Sequence, residues 1–195
     1  PPKNARTSKM KLYHFTASEY IEPIMTHGLN RGEVVIDAPN LVQNGVNLTT
    51  DADPRDHGLS DGRLVTSLER RIFEQMDGVR LPKGMRFPDK RRVRIEIDLP
   101  EHTHGLVNWL QWSATHVDRA TREGLIRTGG GIVKASTWYV SFAPIPPSAF
   151  IRIGIRNHAG SYTLCQSRTE VQQAIMALNL PGVRLVPTTT DCARR

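Results

Sequence analysis

From residue 93 to residue 99 the chain alternates strictly. Val93, Ile95, Ile97 and Leu99 are aliphatic, Arg94, Glu96 and Asp98 are charged, and Pro100 ends the run. Side chains of a strand point to opposite faces in turn, so this pattern reads as a half-buried strand. Other segments carry the same signature less completely. Lys11 to Phe15 and Val46 to Thr49 read as short strands, as do Ser136 to Phe142 and Phe150 to Ile155 around Pro144-Ile145-Pro146-Pro147. Helical patterns lie between them. Thr16 and Glu19 have the spacing of a capping box, Tyr20, Ile21, Ile24 and Met25 form an apolar stripe, and Gly28 is placed to end the helix. Leu64 to Met76, Gly105 to Gly124 and Arg168 to Leu178 are further helices, with Trp109 and Trp112 three apart on one face. Strands and helices intermingle without a regular βαβ alternation, which predicts a mixed α+β fold.

The remaining punctuation is Gly- and Asp-rich. Asn44-Gly45 predicts a turn, Asp51 to Arg63 an exposed loop, Asp77 to Lys90 an irregular stretch, and Gly129-Gly130-Gly131 a mobile break. At 195 residues, 38% hydrophobic and 23% charged, the chain has the size and balance of one globular domain. The expected layout is a flexible basic segment over residues 1–10, one domain over 11–180 and a tail over 181–195, frayed from Pro187. No apolar run approaches the roughly 18 residues of a membrane span. Cys165 and Cys192 fit neither a disulfide framework nor a zinc site, so a reducing cytoplasm is the expected location. A formal charge of +7 favours a polyanionic partner such as nucleic acid, or an anionic dinucleotide.

Several residue types carry possible chemistry. His14 ends the first strand directly before the helix, where Thr16 offers a hydroxyl and the helix start offers amide groups; this suits a ribose hydroxyl or a phosphate oxygen. The alternative is that Thr16 only caps and His14 only satisfies a buried carbonyl. Lys90-Arg91-Arg92, with Arg94 beyond, reads either as a phosphate contact or as a solvated strand entrance. His57 in the Asp/Gly-rich loop has the intrinsic pKa of an acid/base group, and Asp51 and Asp53 could reach a pocket. His102 and His104 lack the ligand constellation of a metal site, and no metal is expected. Trp109 and Trp112 read as core rather than as base-stacking plates.

Taken together, Tyr13-His14-Phe15-Thr16 with Gly28-Leu29, then Gly45-Val46-Asn47-Leu48-Thr49-Thr50-Asp51, then Arg94 to Leu99, then Trp138-Tyr139-Val140-Ser141-Phe142 with Ile145-Pro146-Pro147, resemble the ordered motifs of ADP-ribosyltransferase-fold proteins. That superfamily includes poly-ADP-ribose polymerases, DarT-type toxins and RNA 2'-phosphotransferases. The order spans roughly residues 11 to 155, and its specificity lies in four short motifs falling in sequence. The resemblance implies a split sheet with flanking helices and an NAD cleft. It implies NAD as co-substrate, bound by Tyr13, His14, Phe15, Thr16, Asn47, Leu48 and Thr49, with His14, Asn47 and Trp138 as the residues of the reaction. The implied reaction is transfer of ADP-ribose to a macromolecular acceptor, and the charge of the chain favours nucleic acid over protein as that acceptor.

The chain departs from the family where many transferases place a Glu in the closing strand. Trp138 stands near that position, and Ser136 to Phe142 holds no carboxylate. Glu19 is absorbed by the capping box, and Glu96 and Asp98 by the polar face of their strand. Two alternatives follow. One is an RNA 2'-phosphotransferase-like enzyme, with Arg31, Arg55 and Arg63 as phosphate-neutralising candidates. The other is an ADP-ribosyltransferase-fold binding module without catalysis.

Overall fold

The computed structural model describes residues 8–38 and 41–178. Its elements run β1 (Lys9–Thr16), α1 (Ile21–His27), β2 (Glu33–Asp37), β3 (Leu41–Asn44), β4 (Val46–Thr49), α2 (Ser67–Asp77), β5 (Val93–Pro100), β6 (Leu106–Asn108), α3 (Trp109–His116), α4 (Arg119–Thr128), α5 (Ile132–Ala135), β7 (Trp138–Ser141), β8 (Phe150–Arg156), β9 (Tyr162–Cys165) and α6 (Arg168–Ala177). Short 3-10 turns lie at Ser18–Tyr20 and Pro147–Ala149. Seven strands form one antiparallel sheet in the order β6-β7-β4-β1-β5-β8-β9, and β2 and β3 form a separate ribbon. The fold is α+β. None of the described helices is long and apolar enough to cross a membrane.

The alternating run of β5 is the centre of the sheet. β1 pairs with it along its whole length, from Lys9↔Pro100 to Thr16↔Val93. Residues that pair in register share a face, so Leu12 and His14 lie with Ile97 and Ile95. Val93, Ile95, Ile97 and Leu99 are buried there with Ile21 from α1 and with Val171 and Ile175 from α6. A second core joins β7 and the ribbon to α3 and α5 through Val140, Val34, Trp109 and Ala135, with Leu125 and Ile126 of α4 packed against it. On its other side β1 meets β4 at the single register pair Tyr13↔Thr49. The sheet is therefore two well-paired halves joined by a thin seam.

The reverse face of β5 is less solvated than alternation alone predicts. Glu96 is 3% exposed, clamped by Arg152 and by Lys11 at 2.8 Å. The Arg152 bond dominates over burial and holds its carboxyl down at about 2.

Several local expectations need correction. Thr16 does not cap a helix. It is the last, buried residue of β1, and neither the 3-10 turn nor α1 has a side-chain cap. The capping box lies instead at α2, where Glu69 N–H donates to Thr66 Oγ1 and the Glu69 carboxylate accepts from Thr66 N–H. The predicted helix over Gly105 to Gly124 is three elements, β6, α3 and α4. Asn108 and Asp118 each accept a backbone N–H of the following turn, so each restarts the helix. Asn44-Gly45 is not a hairpin turn but the crossing from ribbon to sheet, with the Asn44 side chain holding Gly32 N–H and Asn30 C=O. The ribbon itself, β6 and β9 lack clean alternation and were not expected.

Gly28 does end α1. Its φ is +78°, and a Cβ there would lie 2.2 Å from the Ile145 carbonyl oxygen, where Leu29 and Ile145 exchange backbone hydrogen bonds. Gly129 and Gly130 are a packed junction. A Cβ on the first would meet Trp138 Cη2 at 2.3 Å, and on the second the Asp56 carbonyl at 2.2 Å. Lys9 and Met10 already pair in β1, whereas residues 1–7 and the expected tail lie outside the described residues.

Candidate active site

His14 sits at the seam. Its Nδ1 lies 2.9 Å from the Asn47 carbonyl oxygen across the gap between β1 and β4. A carbonyl only accepts, so Nδ1 carries the proton and Nε2 of the neutral ring is a lone pair. Nε2 makes no hydrogen bond among the described residues. Burial pushes the imidazole below its ordinary value; the Asn47 carbonyl opposes this and the Lys90 charge adds to it. The result is a neutral, half-buried ring with an acceptor nitrogen to offer a ligand hydroxyl.

The other expected site residues are not gathered around that nitrogen. The Asn47 side chain donates to the Glu33 carbonyl at 3.0 Å and ties β4 to the ribbon. Leu48 is buried in the core beneath the sheet. Tyr13 and Phe15 alternate with His14 and so face the opposite side. Tyr13 lies under the Arg94 guanidinium, 5.5 Å from the ring centre. Thr49 and Trp138 pair in register with Tyr13 through β4, on that same opposite face.

There they meet a second cluster, built by the loop that follows β4. Its aspartates fold it locally: Asp51 Oδ1 accepts from Asp53 N–H and Asp53 Oδ1 from Arg55 N–H. Thr49 Oγ1 accepts the Asp51 amide and donates to Thr137 Oγ1 at 2.8 Å, which in turn donates to the Lys134 carbonyl. Both capacities of the Thr49 hydroxyl are thereby used. Lys134 Nζ lies 2.6 Å from Asp51 Oδ2. Burial raises the Asp51 carboxyl, but Lys134 and the Asp53 amide outweigh it and hold the group below its ordinary range.

His57 fills the centre of this cluster. Its ring lies 6.1 Å from Phe15 and 6.3 Å from Trp138. Trp138 Nε1–H donates to His57 Nδ1 at 2.8 Å. Trp138 also packs edge-on against Trp109 at 5.1 Å, which makes Trp109 a core residue, and Trp112 stacks on His116 at 4.8 Å. Lys134 and the indole bond were not foreseen from sequence. Of the three glycines upstream of Lys134, expected as a mobile break, Gly129 and Gly130 are instead part of the packed junction.

The remaining candidates are spent structurally or lie elsewhere. Arg55 binds Asp53 and holds its carboxyl at about 2, and Arg63 binds Glu69. Arg91 donates to Leu59 C=O, Arg92 to Arg156 C=O and Asp89, and Arg94 to Ala52 C=O. The basic run is thus half-buried scaffolding, with Lys90 as its exposed member. Arg31 is exposed between α1 and β2; His102 and His104 are exposed in the turn after β5. No group of three His, Cys, Asp or Glu among the described residues is placed to hold a metal. Cys165 is buried, which pushes its thiol up, and Cys192 lies outside the described residues. A groove of about 210 Å³ lined by Met25, Phe150, Ile153 and Val171 contains neither histidine.

Searches against protein-family models, curated proteins and solved structures found no match to this chain.

Proposed function

We propose that this chain is an ADP-ribosyltransferase-type enzyme that uses NAD as co-substrate and transfers ADP-ribose to a macromolecular acceptor, nucleic acid before protein. The observation that carries the reading is His14 in the seam between the sheet halves. Its proton is committed to Asn47 C=O, and Nε2 remains as a neutral acceptor for a ribose hydroxyl. In the reaction the bond from ribose C1' to the nicotinamide nitrogen breaks. The electron pair leaves with nicotinamide, and an acceptor atom bonds to C1' as positive character develops there. His14 holds the ribose while this happens. The net charge of +7 favours a polyanionic acceptor.

No carboxylate is assigned to the ribose in this reading. β7 holds none, and Glu96 lies on the face opposite His14. That same feature supports a second reading, a binding module of the same fold without turnover. The phosphotransferase alternative is less well supported, because Arg55 and Arg63 are paired to carboxylates within the chain.

The test is nicotinamide release from NAD by the purified chain, alone and with RNA, DNA or protein acceptors. Release that rises with one acceptor class, and is lost in His14→Ala while the variant stays folded, is the expected result. Release undiminished in His14→Ala overturns the site, and NAD binding without release supports the binding module.

A further inference from the structure

The His57 imidazole is a buried ionisable group outside the His14 seam, and two observations fix its state. An indole N–H can only donate, so the Trp138 bond requires a lone pair on His57 Nδ1. The neutral ring therefore carries its proton on Nε2. That atom is buried and has no hydrogen-bond partner, and the side chain as a whole is 5% exposed. The nearest carboxylate oxygen, Asp51 Oδ2, is 3.6 Å away, beyond hydrogen-bond reach, and is held by Lys134 at 2.6 Å. The groups facing the ring are Phe15 from β1, Trp138 from β7, Lys134 from α5, and Asp51 with the Asp53 backbone from its own loop.

We propose that His57 is a positioning residue that, as the neutral Nε2–H tautomer, pins the Asp51–Arg63 loop to Trp138, and that a second proton on the ring releases the pin. A proton taken up from water has only Nδ1 to occupy, because Nε2 already holds one. It places N–H against N–H where the Trp138 bond stood, and the two side chains separate. Asp51 does not replace the lost bond, since its Oδ2 approaches the other ring nitrogen, Nε2, at 3.6 Å. Burial and the Lys134 charge lower the basicity of the ring, against weaker opposing effects of Asp51 and the Asp53 backbone, so the pinned form is the neutral-pH form. The pin fixes Trp138 and the chain that leaves β4, and it operates whether or not NAD is the substrate.

The experiment is ¹H–¹⁵N NMR of the full chain, following the three tryptophan indole signals and the His57 ring nitrogens from pH ~8 to ~5. The Trp138 signal is assigned by its loss in Trp138→Phe. Expected are an Nε2–H tautomer at the upper end and a Trp138 indole signal that shifts and exchanges faster as His57 titrates. In His57→Gln the amide oxygen accepts from the indole without titrating, and the Trp138 signal stays fixed across the range. In Lys134→Met the cation that disfavours a charged ring is gone, and the His57 midpoint moves to higher pH. An Nδ1–H tautomer overturns the proposal, as does a Trp138 signal indifferent to His57 titration or an unmoved midpoint in Lys134→Met. Nicotinamide release enters none of these readouts, so failure here is separable from failure of the NAD reading.

Discussion

The two histidines flanking the β1–β4 seam hold opposite tautomers, each set by one partner of unambiguous polarity. His14 faces a carbonyl and must donate from Nδ1, which leaves an acceptor. His57 faces an indole N–H and must accept at Nδ1, which leaves a donor. The free nitrogen of His14 lies on a half-buried ring, whereas that of His57 is sealed in. One ring is built to present a lone pair, and the other is built into the scaffold. Residue type alone does not distinguish them.

The sharpest way to break this contrast is to delete the polar atoms of each ring and keep its bulk. On the proposed NAD reading, His14→Phe is expected to lower nicotinamide release by about 100-fold, the scale of a misplaced reacting group. Its stability should change by about 1 kcal/mol or less, because Asn47 is exposed and water replaces the lost donor. His57→Phe leaves the Trp138 indole N–H without an acceptor and is expected to cost about 1–3 kcal/mol. That corresponds to a fall in Tm of roughly 2–4 °C per kcal/mol for a chain of this size. Thermal melts and nicotinamide release on both variants check the pair. Equal melting temperatures would remove the structural role given to His57.

A second comparison tests how firmly the His57 cluster is packed. Gly129→Ala would push a Cβ to 2.3 Å from Trp138 Cη2 and 2.9 Å from the Leu125 carbonyl, and overpacking of this kind costs about 1–3 kcal/mol. Gly124→Ala, inside α4 with nothing within 4 Å of its Cβ, is expected to stabilise by about 0.5–1 kcal/mol through the helix backbone. Urea denaturation of both gives opposite signs if Trp138 is seated as described. A loss-free Gly129→Ala would mean that the indole has room to move.

What could be read in advance follows the physics of each segment. β5 was legible because its period of two is complete, and β1, β4, β7 and β8 because their bulky residues sit between Gly and Pro breaks. The capping box was misplaced because Thr16-x-x-Glu19 and Thr66-x-x-Glu69 have the same spacing, and the pairing of Thr16 with Val93 decides between them. The break between α3 and α4 was missed because Asp118 reads as an ordinary polar helix residue until its carboxylate is seen on Thr121 N–H. For the site, His14 could be singled out as the imidazole of the first strand, although the strand runs on to Thr16 and a 3-10 turn precedes the helix. The separation of Tyr13, Phe15, Thr49 and Trp138 from it is a matter of strand parity across the seam. The His57–Trp138 bond joins residues 81 apart and leaves no local signal.

The smallest effect sharpens the same comparison through pH. Both imidazoles are held below the ordinary 6.5, chiefly by burial. A group whose folded pKa is depressed contributes stability that is complete above the unfolded value and is lost as pH falls below it. Unfolding should therefore become easier as pH drops from 7 through 6.5 toward the lower folded values. The clamped carboxyl of Glu96 does not contribute in that window, since its own loss begins below about 4.5 and runs toward 2. The two rings differ in what protonation destroys. A charged His14 still donates Nδ1–H to Asn47 C=O and loses only the favourable burial of a neutral ring. A charged His57 loses burial and the indole bond together. His57→Gln should thus flatten the dependence of unfolding free energy on pH more than His14→Gln, measured by denaturant titration at a series of pH values. The reverse ranking would show that the indole bond adds nothing to the burial cost, and that the two rings differ in orientation alone.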